Sequence, residues 1–128
     1  MNANERKFID ETARKVIGAA YEVSNHLGSG FLEKVYERAL AQELNAQGIK
    51  QKTQVPMTVS YKGQDIGNYV ADMLVEERLL VELKCVDAFS DQHIAQCLNY
   101  LKASGFNICL LINFQKPRVE WRRVVNNF

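Results

Sequence analysis

Apolar residues in the first 27 positions recur at alternating steps of three and four, which is the spacing of one face of an α-helix. This periodicity predicts an amphipathic helix from Glu5 to Leu27. The segment Gly28-Ser29-Gly30 then interrupts the pattern, because glycines lower helix propensity and permit a tight connection. Helical spacing resumes from Phe31 to about Gln47, and Gly48 is well placed to end it. The chain therefore begins with a predicted helical hairpin.

After Gly48 the period changes to two, which is the spacing of a half-buried β-strand. A first strand is predicted where apolar residues alternate with polar ones, at Val55, Met57, Val59 and Tyr61. A turn follows at Lys62-Gly63-Gln64. Two further strands are predicted over Asn68 to Val75 and Leu79 to Cys85. They should form an antiparallel hairpin, because the charged segment between them, Glu76-Glu77-Arg78, is short.

Helical spacing returns from Asp91 to Ser104, and Gly105 ends it. The nearly continuous apolar run from Phe106 to Phe114 is typical of a strand covered on both faces. A final strand is predicted over Pro117 to Val125, at or near a sheet edge. The order ααβββαββ contains no repeat and no linker. It predicts one α/β domain over residues 1–128, with a mixed sheet flanked by helices.

Composition narrows the class of protein. The chain is 47% hydrophobic and 24% charged, and no apolar run approaches the roughly 20 residues needed to span a bilayer. Its three cysteines, Cys85, Cys97 and Cys109, lack the CxxC spacing of a zinc or redox pair. The net charge of +1 gives the whole surface no attraction for phosphate, so a nucleic-acid site needs a local patch. We expect a soluble cytoplasmic protein with reduced thiols and no membrane association.

The strand Leu79 to Cys85 carries two charges, Glu82 and Lys84, on the same face because side chains alternate along a strand. Charges entering an apolar strand are costly to bury unless something pairs with them. A three-residue loop before this strand sets a register in which Asp72 lies opposite Glu82. Opposed carboxylates destabilise a strand pair unless a cation binds between them, and carboxylates are preferred ligands of Mg²⁺ and Mn²⁺. Lys84 is then positioned to orient or deprotonate a water molecule, or to hold a phosphate.

Three motifs carry a family resemblance. The first motif resembles the PD-(D/E)XK motif of a nuclease superfamily, and it consists of Asp72 followed after nine residues by Glu82-Leu83-Lys84. Ala71 stands in place of the motif's nominal proline, which binds no metal. The segment from Gly30 to Tyr36, GFLEKVY, is similar to the signature of the small GxxExxY family, which is placed in that superfamily. The segment from Gln96 to Tyr100, QCLNY, resembles the QxxxY helix motif of RecB-like and phage-type exonucleases.

The resemblance implies a restriction-endonuclease-like core and a set of roles. Asp72 and Glu82 would be the main metal ligands, joined by the backbone carbonyl of Leu83 and, directly or through water, by Glu33. Lys84 would serve the attacking water. Gln96 and Tyr100, one helical turn apart, would contact the substrate phosphate or steady Lys84. The implied activity is hydrolysis of phosphodiester bonds by water activated on Mg²⁺ or Mn²⁺, with DNA favoured over RNA.

Several residues also have ordinary structural interpretations. Glu33 suits a helix surface near the N-terminus, where the helix dipole favours an acid. Gln96 and Tyr100 suit the polar edge of an amphipathic helix. Tyr36 is better explained as a packing residue with a hydrogen-bonding tip than as a catalytic acid. His93 is expected to be a solvated surface residue. Ser90, Asp91 and His93 are too close together in sequence for a hydrolase triad, so covalent catalysis is not expected.

A basic cluster lies around Trp121 near the C-terminus, formed by Lys116, Arg118, Arg122 and Arg123. One interpretation is a nucleic-acid contact, with base stacking on Trp121 and phosphate contacts from Arg118, Arg122 and Arg123. A solvated edge strand explains the same residues equally well. The alternative function is a catalytically silent module on the same fold that binds nucleic acid or a protein. A third possibility is that the nuclease acts with a partner subunit, and a homodimer would widen its binding surface.

Overall fold

The computed structural model describes residues 1–126, which form three helices and five strands in the predicted order. The elements are α1 (Ala3–Leu27), α2 (Glu33–Ala46), β1 (Gln51–Tyr61), β2 (Gln64–Val75), β3 (Leu79–Lys84), α3 (Asp91–Ser104), β4 (Ile108–Asn113) and β5 (Glu120–Val125). The mixed α/β class is thereby confirmed. The end of the predicted domain, residues 127–128, lies outside the described residues.

The five strands form one sheet in the order β1-β2-β3-β4-β5. Strands β3 and β4 are parallel and every other neighbouring pair is antiparallel. Helix α3 connects the parallel pair, because two parallel strands require a crossover longer than a hairpin turn. No helix within residues 1–126 is long and apolar enough to cross a membrane.

Each face of the sheet carries its own hydrophobic core. The first core packs α1 and α2 against alternate residues of the central strands, including Val81 and Leu110. The second packs α3 against the intervening residues, including Leu80 and Leu111. All six residues of β4 are buried, which is why its sequence is apolar without alternation. The sheet therefore lies between two helical layers, with β3 and β4 at its centre.

The hairpin of β1 and β2 is longer than the sequence predicts. Strand β1 begins at Gln51 rather than Val55, and β2 begins at Gln64 rather than Asn68. The added residues are largely exposed, so backbone pairing rather than a hydrophobic pattern holds them in the sheet. Lys62 and Gly63 form the turn with φ of 48° and 82°, as a two-residue hairpin loop requires. Gln64, expected in the turn, is part of the strand.

Three other elements are shorter than predicted. Helix α2 begins at Glu33 instead of Phe31 and ends at Ala46, β4 begins at Ile108 instead of Phe106, and β5 begins at Glu120 instead of Pro117. At the start of α3, His93 is a partly exposed surface residue. Its Nδ1 accepts a hydrogen bond from the Ser90 backbone N–H at 3.1 Å, and the Ser90 hydroxyl accepts from the His93 N–H at 3.3 Å. These two residues form a capping box, which explains their spacing without any catalytic role.

Candidate functional site

The paired strands β2 and β3 separate beside Asp72 and Glu82. Their ladder has the predicted register, from Val75 opposite Leu79 to Met73 opposite Val81. Beyond Met73 and Val81, two hydrogen bonds from backbone N–H groups to side-chain carboxylates replace the backbone hydrogen bonds of the strand pair. The Asp72 backbone N–H donates to Glu82 Oε1 at 2.8 Å, and the Leu83 backbone N–H donates to Asp72 Oδ2 at 2.8 Å. Each carboxylate is therefore held by the main chain of the opposite strand, and the two lie together.

A local irregularity in β2 allows Asp72 to reach this position. Ala71 packs in the second core and Met73 in the first, although residues two apart normally share a face. Gln54 of β1 lies across from Asp72, between the pairs Thr53–Met73 and Val55–Ala71, and has a φ of 54°. The regular alternation of β2 is thus broken at Asp72, which turns its carboxylate toward Glu82.

The carboxylate pair lies in a poorly hydrated environment. Glu82 is 3% exposed. Burial raises the pKa of Glu82 to about 8, and the negative charge of Asp72 beside it adds to the shift, while the Lys84 ammonium opposes it. Burial also raises the pKa of Asp72, with further contributions from the charges of Glu37 and Glu33. Without a cation the pair therefore holds a proton near neutral pH, chiefly on Glu82, because two adjacent carboxylates in a buried setting resist ionising together.

Helix α2 places two more acids near this pair. Glu33 Oε2 accepts a hydrogen bond from the Cys85 backbone N–H, just after β3, at 3.4 Å. Glu37, one turn later, is buried, forms an ion pair with Lys34 at 3.1 Å, and accepts from Gln54 Nε2 at 2.6 Å. Glu37 is a residue that the sequence analysis missed. The signal for it was its position four residues after Glu33, which puts both acids on one helix face.

The donor set near Asp72 and Glu82 consists of carboxylate oxygens, which suit a divalent ion such as Mg²⁺. Among residues 1–126, no three acidic, histidine or cysteine side chains are grouped closely enough to enclose an ion. Mg²⁺ typically takes only one or two protein carboxylates and completes its shell with water and phosphate oxygens. The oxygens of Asp72 and Glu82 fit that requirement.

Tyr36 fixes the start of α2 and hence the position of Glu33. Its hydroxyl donates to the Gly28 carbonyl at 2.5 Å and accepts from the Phe31 backbone N–H at 3.3 Å. Its ring stacks on Phe114, with centroids 4.6 Å apart. Gly30, with a φ of 109°, provides the backbone conformation that the connection needs. Tyr36 is therefore a packing residue with a hydrogen-bonding hydroxyl, as the sequence favoured.

Helix α3 brings Gln96 and Tyr100 to the other side of the pair. Gln96 Nε2 donates to the Tyr100 hydroxyl oxygen at 2.9 Å. Burial raises the pKa of the Tyr100 phenol well above its ordinary value, and the charges of Glu82 and Asp72 add to that shift. The phenol consequently remains neutral at physiological pH and keeps a proton to donate.

Asn113 is a second residue that the sequence analysis missed. It lies opposite Lys84 on the neighbouring strand β4 and is fully buried. Its Nδ2 donates to the Val86 carbonyl at 2.7 Å, and its Oδ1 accepts from the Val86 N–H at 3.1 Å. Asn113 thus anchors the chain immediately after Lys84. A lone asparagine at the end of an apolar run gives no sequence signal for this role.

The residues around Trp121 do not form a single patch. Arg123 forms an ion pair with Asp10 of α1 at 2.7 Å. Arg122 directly precedes Arg123 on β5. Its guanidinium carbon lies 5.8 Å from the centre of the Phe89 ring. Trp121 and Arg118 are exposed. Because Arg122 and Arg123 alternate along the strand, they face different helical layers.

Comparison with known proteins gives the family. The PD-(D/E)XK nuclease superfamily matches residues 10–124, and the chain belongs to that superfamily. The fold is similar to that of SSO0001, with a TM-score of 0.59 and 16% identity over 98% of this chain and 62% of that chain. The chain thus spans less than two thirds of the length of SSO0001.

An alkaline exonuclease from Laribacter hongkongensis, LHK-Exo, is also similar, with a TM-score of 0.51 and 13% identity over 92% of this chain and 82% of that chain. The same exonuclease in complex with dAMP gives a TM-score of 0.50 at 13% identity, over 92% of this chain and 83% of that chain. At these identities the likeness concerns the fold. A search of curated protein sequences found no match. Membership of the superfamily supports a nuclease function and a nucleic-acid substrate.

Proposed function

We propose that the protein is a nuclease that depends on Mg²⁺ or Mn²⁺ and hydrolyses phosphodiester bonds, in DNA in preference to RNA. The observation that carries the proposal is the reciprocal arrangement in which Asp72 and Glu82 each accept a hydrogen bond from the other strand's backbone. Within the superfamily we place the chain with the GxxExxY proteins, on the strength of Gly30, Glu33 and Tyr36. The DNA preference rests on the resemblance to exonucleases of this fold.

The carboxylates are assigned as the ion's ligands from their bonding. Each is held through one oxygen, Oδ2 of Asp72 and Oε1 of Glu82, and its second oxygen is the donor that we assign to the ion. A bound divalent cation would supply charge for the phosphate oxygens and lower the pKa of a coordinated water. The Leu83 carbonyl and Glu33, bound directly or through a water, are the further ligands that the motif suggests.

The remaining residues are assigned to substrate and water. The Lys84 ammonium lies close enough to both carboxylates to favour their ionised forms. This position suits Lys84 to hold the phosphate or to orient the attacking water. Tyr100, kept neutral and bonded to Gln96, is assigned to donate to a phosphate oxygen. The water oxygen forms a bond to phosphorus and releases a proton to solvent, while the bond from phosphorus to the leaving nucleotide oxygen breaks and that oxygen takes up a proton from solvent. Arg118, Trp121, Arg122 and Arg123 are assigned to flanking nucleotides, from two faces rather than one patch.

The test is a cleavage assay with matched variants. Linear and circular, single- and double-stranded DNA, and RNA, are incubated with the protein in Mg²⁺, Mn²⁺ or EDTA. Asp72→Asn and Lys84→Gln should each lower the rate at least ~100-fold, because metal and proton-transfer contributions are of that size. Asp65→Asn is the control, since Asp65 is an exposed acid at the other end of β2 from Asp72, where its Oδ1 accepts a hydrogen bond from the Ser60 hydroxyl at 2.9 Å. Cleavage at the same background level in all four proteins, with or without metal, would favour the silent binding module.

A further inference from the structure

A pocket separate from the carboxylate pair lies between the β1–β2 hairpin and α3. Its volume is about 470 Å³. The hairpin contributes Thr58, Ser60 and Tyr69, and the helix contributes Asn99 and Lys102. This volume falls within the range of pockets that hold small organic groups.

The pocket adjoins the candidate site through two aromatic rings. Tyr69 is 41% exposed, and its ring centre lies 5.8 Å from that of Tyr100, at an angle of 58°. Tyr100 is in turn close enough to Glu82 and Asp72 for their charges to act on its phenol. Tyr69 also precedes Asp72 by three residues on β2, a separation of roughly 10 Å along a strand. A group in the pocket would therefore lie next to a phosphate held at the carboxylates.

The chemistry of the lining suits a nucleobase. An exposed aromatic ring provides a stacking surface, and stacking contributes roughly 1–3 kcal/mol per base regardless of sequence. The amide of Asn99 has both donors and an acceptor for a base edge. Lys102 is the one charged residue among the described residues lining the pocket, and its sign is complementary to a phosphate.

We propose that this pocket binds an unpaired nucleobase of the substrate strand beside the phosphate to be cleaved. The proposal rests on the nuclease function proposed above and specifies its substrate. A base inside a duplex is stacked on both faces and cannot offer one to Tyr69 without leaving the helix. The enzyme should therefore prefer single strands and frayed ends to the interior of a duplex.

The test measures binding separately from cleavage. A single-stranded oligonucleotide containing 2-aminopurine is titrated with protein in Ca²⁺, an ion that carboxylate sites accept, and its integrity is checked afterwards on a gel. The wild type should bind it with a fall in fluorescence as the base stacks. Tyr69→Ala should weaken binding roughly 5- to 150-fold, because that is the affinity equivalent of one stacked base. The variant should also show no fall in fluorescence. Tyr69→Phe, which keeps the ring, should behave as the wild type.

Two further variants separate stacking from general effects. Tyr69→Leu keeps an apolar contact with Tyr100 but lacks the aromatic face, so it should lose binding with little change in melting temperature. Tyr61→Ala removes another aromatic ring of the same hairpin, 60% exposed and outside the pocket lining, and should bind normally. Blunt duplex binding should be unaffected by Tyr69→Ala.

The outcomes distinguish this proposal from the nuclease proposal. If Tyr69→Ala binds single strands as tightly as the wild type, or if Tyr61→Ala loses as much affinity, the base pocket is wrong even where the protein cleaves in Mg²⁺. If binding depends on the Tyr69 ring but no cleavage occurs in Mg²⁺ or Mn²⁺, the pocket stands and the nuclease proposal fails. If the wild type binds no single strand, the base pocket is refuted whatever the cleavage assay gives.

Discussion

The stability of the metal-free protein should fall as the pH rises from 5 to 9, because of Glu82. Its pKa is 4.5 in an ordinary environment and about 8 in the fold, where burial and Asp72 favour the neutral form. Between these values the folded state holds a proton that the unfolded state has released. The unfolding free energy therefore decreases with pH over this range, and the stabilisation present below the lower pKa is lost above the higher one.

The shift sets the size of the effect. One pKa unit corresponds to about 1.4 kcal/mol, so the Glu82 shift gives an upper bound of ~5 kcal/mol. Asp72 competes for the same proton, which reduces the part that belongs to Glu82. Even a third of the bound is measurable, because 1 kcal/mol changes the melting temperature of a domain of this size by roughly 4 °C.

Thermal unfolding in EDTA at intervals from pH 5 to 9 is the assay, with Glu82→Gln as the matched variant. Glutamine retains an oxygen that can accept from the Asp72 N–H but has no charge to gain. We expect Glu82→Gln to melt close to the wild type at pH 5 and well above it at pH 9. Mg²⁺ or Mn²⁺ should then raise the melting temperature of the wild type at pH 9 far more than that of the variant, because the ion binds the deprotonated pair. Parallel pH curves for the two proteins in EDTA would refute this account of the pair.

Three further substitutions test the framework of the site. Leu110→Ala, in the fully buried strand β4, should lower the unfolding free energy by about 2–5 kcal/mol in urea titrations; a loss below ~1 kcal/mol would show a loosely packed core. Tyr36→Phe keeps the stack on Phe114 but removes the hydroxyl bonds, so we expect a loss of about 1–3 kcal/mol and slower cleavage; unchanged melting and activity would contradict the anchoring role of the hydroxyl. Asn113→Ala should cost about 1–3 kcal/mol and accelerate amide hydrogen exchange at Val86, where undiminished protection would count against it.

The order of elements and the register of the central hairpin could be predicted because both depend on local rules. Helical spacing identified all three helices, and a three-residue loop fixed Val75 opposite Leu79. The ends of β1 and β2 could not be predicted. Their residues are exposed on both faces, so a partner strand rather than a buried face holds them, and no periodic signal results.

Parts of the site also escaped sequence reasoning, because they depend on which elements meet. Glu37 and Asn113 show no functional signal within their own segments. Their roles follow from hydrogen bonds to distant residues: Glu37 bonds to Gln54, 17 residues away, and Asn113 bonds to Val86, 27 residues away. The basic residues near Trp121 are adjacent in sequence, yet strand alternation directs Arg122 and Arg123 to different layers. Contacts between distant segments are thus what the linear pattern could not supply.

The two hydrogen bonds that cross between β2 and β3, from the Asp72 N–H to Glu82 and from the Leu83 N–H to Asp72, make the strand spacing part of the geometry of the proposed ion site. A carboxylate on a free side chain can swing through several rotamers, and each rotamer that must be given up on binding costs entropy. Here the main chain of the opposite strand restrains each carboxylate, so the donor oxygens are set by the sheet itself. If the proposed ion site is correct, mutations that shift the two strands by a fraction of an ångström should impair ion binding while leaving every proposed ligand in the sequence intact.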